Sequence, residues 1–317
     1  MARFDFPIPF GWYNICRAND MNPGTLSEKR VFGENLLLWR GEDGAYHLQE
    51  NYCPHLGANI GADGKVVGNA VECPFHGWRF GGNGNLVEIP YAPDAKTQAC
   101  LRNYPIREYY GLIVAWYHPD EAEPLFELPE IPELDDPGIR GPLEYGTHEV
   151  ATCLQEMTEN GVDGAHFMSI HKHPGPASFD AVEFDGFFMV SRTRQMFPSS
   201  KGPVSGTLDS YAFGMGTGVV RYKTLIEITM LTTAMPIDRE HSVQRFQVFY
   251  KNPEGDPKID RIAEAFNKEV NRQVEEDIPI WNKKIYRERP ILTEGEAPIT
   301  RFRRWAKQFY VEVNAAA

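Results

Sequence analysis

The 317-residue chain reads as an α+β protein in two parts, and three observations carry that reading. The first 117 residues break into short strand-like runs separated by turn residues, a central stretch is acidic and rich in proline, and the second half sets a run of strands between helical segments. Taken in order, residues 30–39 and 46–48 read as strands about a turn at 41–44, and further turns fall at Asp63-Gly64 and at 81–84. A small β domain is therefore expected over residues 1–118. From His118 to Gly138 there are eight acidic residues, five prolines and no lysine or arginine, which predicts an extended, solvated connector over 119–138. A second domain, 139–317, follows. It opens with a helix-like stretch around 152–167 and continues with strands between 181 and 250. A helix is predicted from 257 to about 281, where Ile262, Phe266, Val270, Val274 and Ile278 recur every fourth residue and form one apolar face. No repeat of 20 to 50 residues is visible, so solenoids and propellers drop out.

Composition excludes several functions. Apolar residues at 42% and charged residues at 24% are ordinary for a globular chain. With 32 Lys and Arg against 44 Asp and Glu, the net charge of −12 has the wrong sign for a nucleic-acid partner. The apolar run 112–117 is far short of the roughly 20 residues that span a bilayer, and no basic-then-apolar leader opens the chain. A soluble cytoplasmic protein is expected. Five cysteines are too few, too scattered and odd in number for a disulfide framework. A reducing compartment, with some thiolates on metal, fits better.

Histidine placement is the most informative feature. Cys53-Pro54-His55 and Cys73-Pro74-Phe75-His76 form CxH, 17 residues, then CxxH. Two such pairs invite a metal. Zinc modules usually pair Cys with Cys and His with His along the chain, whereas here each loop carries one of each. If each loop gave its Cys to one iron and its His to the other, a [2Fe–2S] cluster with two neutral ligands would result. Its potential would be raised, suiting it to accept electrons from an ordinary donor. Zinc, or two buried cysteines and two core histidines, are the alternatives. The loops CPHLGA and CPFHGWRF resemble, almost residue for residue, the cluster-binding loops of the Rieske iron–sulfur family. The resemblance implies Cys53, His55, Cys73 and His76 as cluster ligands. Cys16, Cys100 and Cys153 match no motif and read as structural thiols.

A second constellation, Asp163-x-x-His166-x-x-x-x-His171, is weak alone. On a helix Asp163 and His166 share a face, while His171 needs a bend or helix end to converge with His166. Two imidazoles and a carboxylate on one side of iron leave positions open for dioxygen. The bland alternative is a set of satisfied surface and core polar groups. EEDIPIW, followed later by RRWAKQFY, resembles the C-terminal iron-ligand region of Rieske oxygenases acting on steroids. That resemblance implies His166, His171 and Asp277 as ligands of a mononuclear Fe(II), ahead of Glu275 and Glu276, and gives Asp163 the role of bridge between the two metal centres. A run of three acids is otherwise usually a solvated face.

The resemblance covers nearly the whole chain, and it is most like 3-ketosteroid 9α-hydroxylase oxygenase components and sterol-oxidising relatives. It implies a Rieske β domain followed by a helix-grip catalytic domain, an antiparallel sheet flanked by helices. It also implies a monooxygenase using O2 and electrons from an NAD(P)H-dependent reductase or ferredoxin, acting on an apolar substrate such as a steroid, with head-to-tail homotrimers. Oxidative demethylation, desaturation or aromatic ring hydroxylation of a smaller substrate would use the same residues. A pure electron-transfer Rieske protein would need no second domain. Leu225, Ile226, Ile228, Met230 and Leu231 would suit an apolar pocket, but equally a plain core.

Overall fold

The structure is a computed structural model, and it describes residues 3–143, 147–197 and 202–311. The chain divides into two compact units, Tyr13–Pro124 and a larger one made of Met1–Trp12 with Leu125–Ala317. The division falls inside the expected connector. Within that stretch Phe126, Leu128 and Ile131 are buried.

The smaller unit is built of three antiparallel sheets. One has the order Thr25–Val31, Glu34–Arg40, Tyr46–Glu50, Asn103–Tyr104, and a second runs Lys65–Val67, Ala70–Glu72, Arg79–Gly81, Leu86–Glu88. The third pairs Gly11–Arg17 with Leu112–Tyr117, which pairs in turn with Ile106–Tyr109. Residues 30–39, expected as a single strand, are instead two strands of a hairpin turning at Phe32-Gly33. Val31 faces Glu34 across it, and the two turn residues have φ of 57° and 79°. Two left-handed residues make the tight turn whose twist matches a hairpin, usually signalled by Asn-Gly, and Phe32 hides it. Leu37, Trp39, Val71, Phe80 and Leu101 form the core, and Cys53 and Cys73 belong to it.

In the larger unit six strands, from Ser178–Asp185 to Ser242–Lys251, form an antiparallel meander. Ile139–Leu143 and Thr147–Val150 both pair with Ser242–Lys251. The helix Pro257–Trp281 starts where expected, with Asp256 accepting from the Lys258 N–H at 2.8 Å and Pro257 in the first turn. Its Ala263, Val270 and Val274 pack on Ile228, Met230, Phe246 and Val248 of the sheet, with Ile259, Phe266 and Ile278 at the margins. A strict spacing of four drifts around a helix of 3.6 residues per turn, so Ile262 falls outside this stripe and Ala263 inside it. Of the five apolar residues expected around 225–231, Met230 lines a cavity, Ile228 and Leu231 are core, Ile226 is half-buried against that core, and Leu225 is 64% exposed.

The helix expected around 152–167 is broken. Leu154–Glu159 is helical, Asn160–Val162 is a single 3-10 turn, Asp163 is extended, and a short helix resumes at His166–Ser169. Gly164 marks the reason: a Cβ there would lie 2.6 Å from the Ala177 carbonyl, so the chain passes too close to its neighbour to coil. No described helix is long and apolar enough to cross a membrane.

Arg221 donates from both Nε and Nη2 to the carboxylate of Glu133. Burial alone would raise this carboxyl, but the hydrogen bonds and charge of Arg221 outweigh it and hold Glu133 below its ordinary value. A depressed carboxyl stabilises the fold above its unfolded value of about 4.3 and loses that contribution as pH falls through the lower folded value. Glu133→Gln should therefore lower stability at pH 7 and flatten the acid limb of the curve. Urea melts between pH 7 and pH 3 would show this, and an unchanged acid limb would exclude it.

Two candidate metal centres

The two loops of the smaller unit are built alike. The Cys53 N–H donates to the Ala58 carbonyl at 2.9 Å and the Cys73 N–H to that of Trp78 at 2.8 Å. The cysteine carbonyls accept from Gly57 at 2.8 Å and Gly77 at 3.0 Å. Both glycines are left-handed, with φ of 75° and 72°, a conformation that costs other residues free energy. These closures bury both cysteines and bring the rings of His55 and His76 to 4.6 Å between centroids. Burial pushes the Cys53 thiol up to about 11, against the pull of the His55 and Leu56 N–H groups and with the Cys73 sulfur adding to the rise. A bound metal would invert that preference, since a coordinated thiol is deprotonated. His55 lies flat on Trp78, 4.4 Å away at 4°, and its buried Nδ1 has no hydrogen-bond partner. A buried ring nitrogen with nothing to bind is costly, whereas a metal donor atom needs no such partner. Two buried sulfurs and two adjacent imidazoles fit a [2Fe–2S] cluster with mixed ligands. At the loop tips Leu56 and Phe75 are 65% and 60% exposed.

The larger unit brings His166, His171 and Asp277 together, with one donor atom from each lying within 4.8 Å of the others. All three are buried. The short helix at His166 and its irregular exit turn the two rings to 82° at 5.2 Å. Asp277 is three residues beyond Val274 and seven beyond Val270, so it falls on the inward stripe of the long helix. Glu275 is exposed. Glu276 accepts from His171 Nδ1 at 3.1 Å and is held by Arg272. His171 Nε2 lies 3.5 Å from Asp277 Oδ1, and Asn160 Nδ2 donates to Asp277 Oδ2 at 3.1 Å. Burial would lower His171, but Asp277 and Glu276 outweigh it and raise its affinity for a proton. The same pair of carboxylates suits a cation in the proton's place. Two imidazoles and one carboxylate on one side of a cavity fit the ligand set of a non-haem iron.

Asp163 does not sit on a helix with His166. Its Oδ1 accepts from the N–H groups of Ala165 at 3.0 Å and His166 at 3.4 Å, capping the short helix, and its Oδ2 is 3.8 Å from His166 Nδ1. The ring nitrogen is closest to the Asp163 backbone carbonyl, at 2.5 Å. Burial would raise the Asp163 carboxyl, but His166 and these N–H groups hold it below its ordinary value. Asn160 went unnoticed in the sequence, although it lies within the same conspicuous segment. So did His173, which is buried with Nδ1 3.1 Å from Gln195 Oε1.

Beyond the three donors the wall is mostly apolar, with Phe167, Phe179, Leu208, Val220, Met230 and Phe246 among its side chains, and its polar residues include Asn160, Thr193, Ser210, Thr232, Gln244 and Gln273. Residues 11–105 match the Rieske [2Fe-2S] domain, and residues 115–310 match the family described as 3-Ketosteroid 9alpha-hydroxylase C-terminal domain. A probable 3-ketosteroid-9-alpha-monooxygenase oxygenase component of Rhodococcus rhodochrous is 30% identical, over 96% of this chain and 80% of that protein. Cholesterol 7-desaturase of Caenorhabditis elegans is 32% identical, over 96% and 77%. In fold the chain is similar to apo dicamba monooxygenase, with a TM-score of 0.71 at 19% identity over 97% of this chain and 98% of that one. A Rieske domain followed by this catalytic domain places the chain in the Rieske oxygenases, O2-dependent oxidoreductases with a [2Fe–2S] cluster, a mononuclear iron and a reductase partner.

Proposed function

We propose that the chain is the terminal oxygenase component of a cytoplasmic monooxygenase that oxidises an apolar, steroid-type substrate. In this reading Cys53, His55, Cys73 and His76 ligate the cluster, and His166, His171 and Asp277 ligate the mononuclear iron. The carrying observation is the buried donor triad set in the wall of a mainly apolar cavity. Binding there would be driven by desolvation of a rigid apolar skeleton and oriented by few polar groups. When bound, the cluster relays electrons from an NAD(P)H-dependent reductase and the iron activates dioxygen.

The chain's own residues do the holding. Asn160 fixes the second oxygen of Asp277, leaving the first to face His171. Glu276, clamped by Arg272, takes the outer nitrogen of His171 and so sets which ring nitrogen faces the triad. Asp163 is assigned the bridge to a cluster histidine of a neighbouring protomer in a head-to-tail homotrimer, where the exposed Leu56 and Phe75 would pack against that neighbour.

Similarity to a sterol desaturase supports removal of two hydrogens as a second outcome at the same site. Product analysis by mass spectrometry separates the two. With a surrogate reductase and a panel of steroids, aromatic acids and N-methyl compounds, a steroid should gain one oxygen or lose two hydrogens. Turnover confined to the small charged substrates would overturn the steroid reading.

A further inference from the structure

Gln244 carries an acceptor with nothing to accept. It lies on the strand Ser242–Lys251, directly opposite Ala234, and faces the same cavity as Phe246 two residues on. Its Oε1 is buried and has no hydrogen-bond partner. Three other polar residues of the cavity already have partners. Asn160 donates to Asp277, Gln273 donates to Glu269, and Thr193 donates to the Leu208 carbonyl at 3.0 Å. Among the described residues that line the cavity, Gln244 holds the one buried side-chain oxygen or nitrogen left unpaired. Such an atom costs free energy in the folded protein unless a ligand or an ordered water satisfies it.

Its position gives the atom a use. The cavity of the metal triad adjoins a second one that contains none of the three donors, and the two share Met157, Gly161, Ser210, Thr232 and Gln244 as common wall. An anchor at that wall sets how far a rigid ring system reaches toward the triad, and so which carbon is presented there. Ser210 and Thr232 hydroxyls can donate or accept and discriminate little. In the orientation the structure records, the Gln244 carboxamide turns its oxygen to this wall, and that oxygen only accepts. It pairs with a hydroxyl, whereas a ketone at the same point would set two acceptors against each other.

We propose that Gln244 Oε1 accepts a hydrogen bond from a substrate hydroxyl, so that the preferred substrate is an apolar polycyclic alcohol rather than the matching ketone. This rests on the steroid reading given above and narrows it. The test is equilibrium dialysis of the metal-loaded protein against two steroids of one skeleton that differ only in bearing a hydroxyl or a ketone on the terminal ring. Wild type should bind the alcohol about tenfold to a hundredfold more tightly. Gln244→Leu and the length-preserving Gln244→Met should bind the two within about a factor of two of each other, with cluster absorbance and iron content unchanged. Equal binding by wild type, or a preference that survives in both variants, overturns the role of Gln244 while leaving the steroid reading intact. Failure of wild type to bind either steroid overturns that reading and this inference together.

Discussion

Asp277→Ala should cut turnover by more than the roughly hundredfold that loss of an outer partner of a metal ligand costs, while the red-brown cluster absorbance stays. The side chain removed is the one anion among the three buried donors. It also accepts from Asn160 and faces His171 Nε2, so the variant strands both groups in a buried cavity. Metal analysis should show the mononuclear iron lost and the two cluster irons kept, since Cys53, His55, Cys73 and His76 all belong to the other unit. Full iron content with full turnover would move the ligand role to Glu276 or Glu275. Loss of colour as well would mean that the whole chain had misfolded.

Trp39→Ala should strike the other centre through packing. Trp39 is fully buried, stacks on His47 at 4.2 Å, and shares its core with Cys53 and Cys73. Its Nε1 donates to Gln49 Oε1 at 3.0 Å, and Gln49 Nε2 in turn donates to the Gly81 carbonyl at 2.9 Å. Deleting the indole should cost about 3–5 kcal/mol for the cavity, and the stranded Gln49 oxygen adds roughly 1–3 kcal/mol. That is a large share of the 5–15 kcal/mol by which a domain is typically stable. The variant should lose its cluster on purification, or melt far below wild type by circular dichroism. Trp39→Phe keeps most of the volume and loses only the hydrogen bond, so it should fall between the two. A Trp39→Ala protein that keeps both colour and melting temperature would show that this core does not hold the loops.

What the sequence made legible follows from distance along the chain. The two Cys–His loops were readable because each packs its Cys and His within four residues, with the closing glycine beside them. His166 and His171 were readable for the same reason. Asp277 could be singled out from Glu275 and Glu276 by resemblance, and the helix stripe through Val270 and Val274 gives the physical ground for the choice. The partners of these donor residues were not readable. Asn160 meets Asp277 across 117 residues and Glu276 meets His171 across 105, and no local pattern reports such a meeting. The break at Asp163 was missed because Gly164 answers to Ala177, a neighbour in space that the periodicity of 152–167 cannot see. The hairpin at Phe32-Gly33 was missed because a bulky residue occupies a position that usually advertises itself with Asn.

The meander has a further consequence for how the protein comes to life. From residue 178 to residue 251 each strand pairs with the next one along the chain, so this sheet is a string of short-range closures that carry a small entropic penalty and can form early. The donor triad spans that string, with two members before it and one on the helix after it. It cannot exist until the sheet has folded and the long helix has docked across it. During synthesis the two Cys–His loops have emerged before the pocket of the donor triad has any shape at all. Assembly is therefore ordered by topology, with the pocket of the donor triad as the last site to be completed on a framework that is already built.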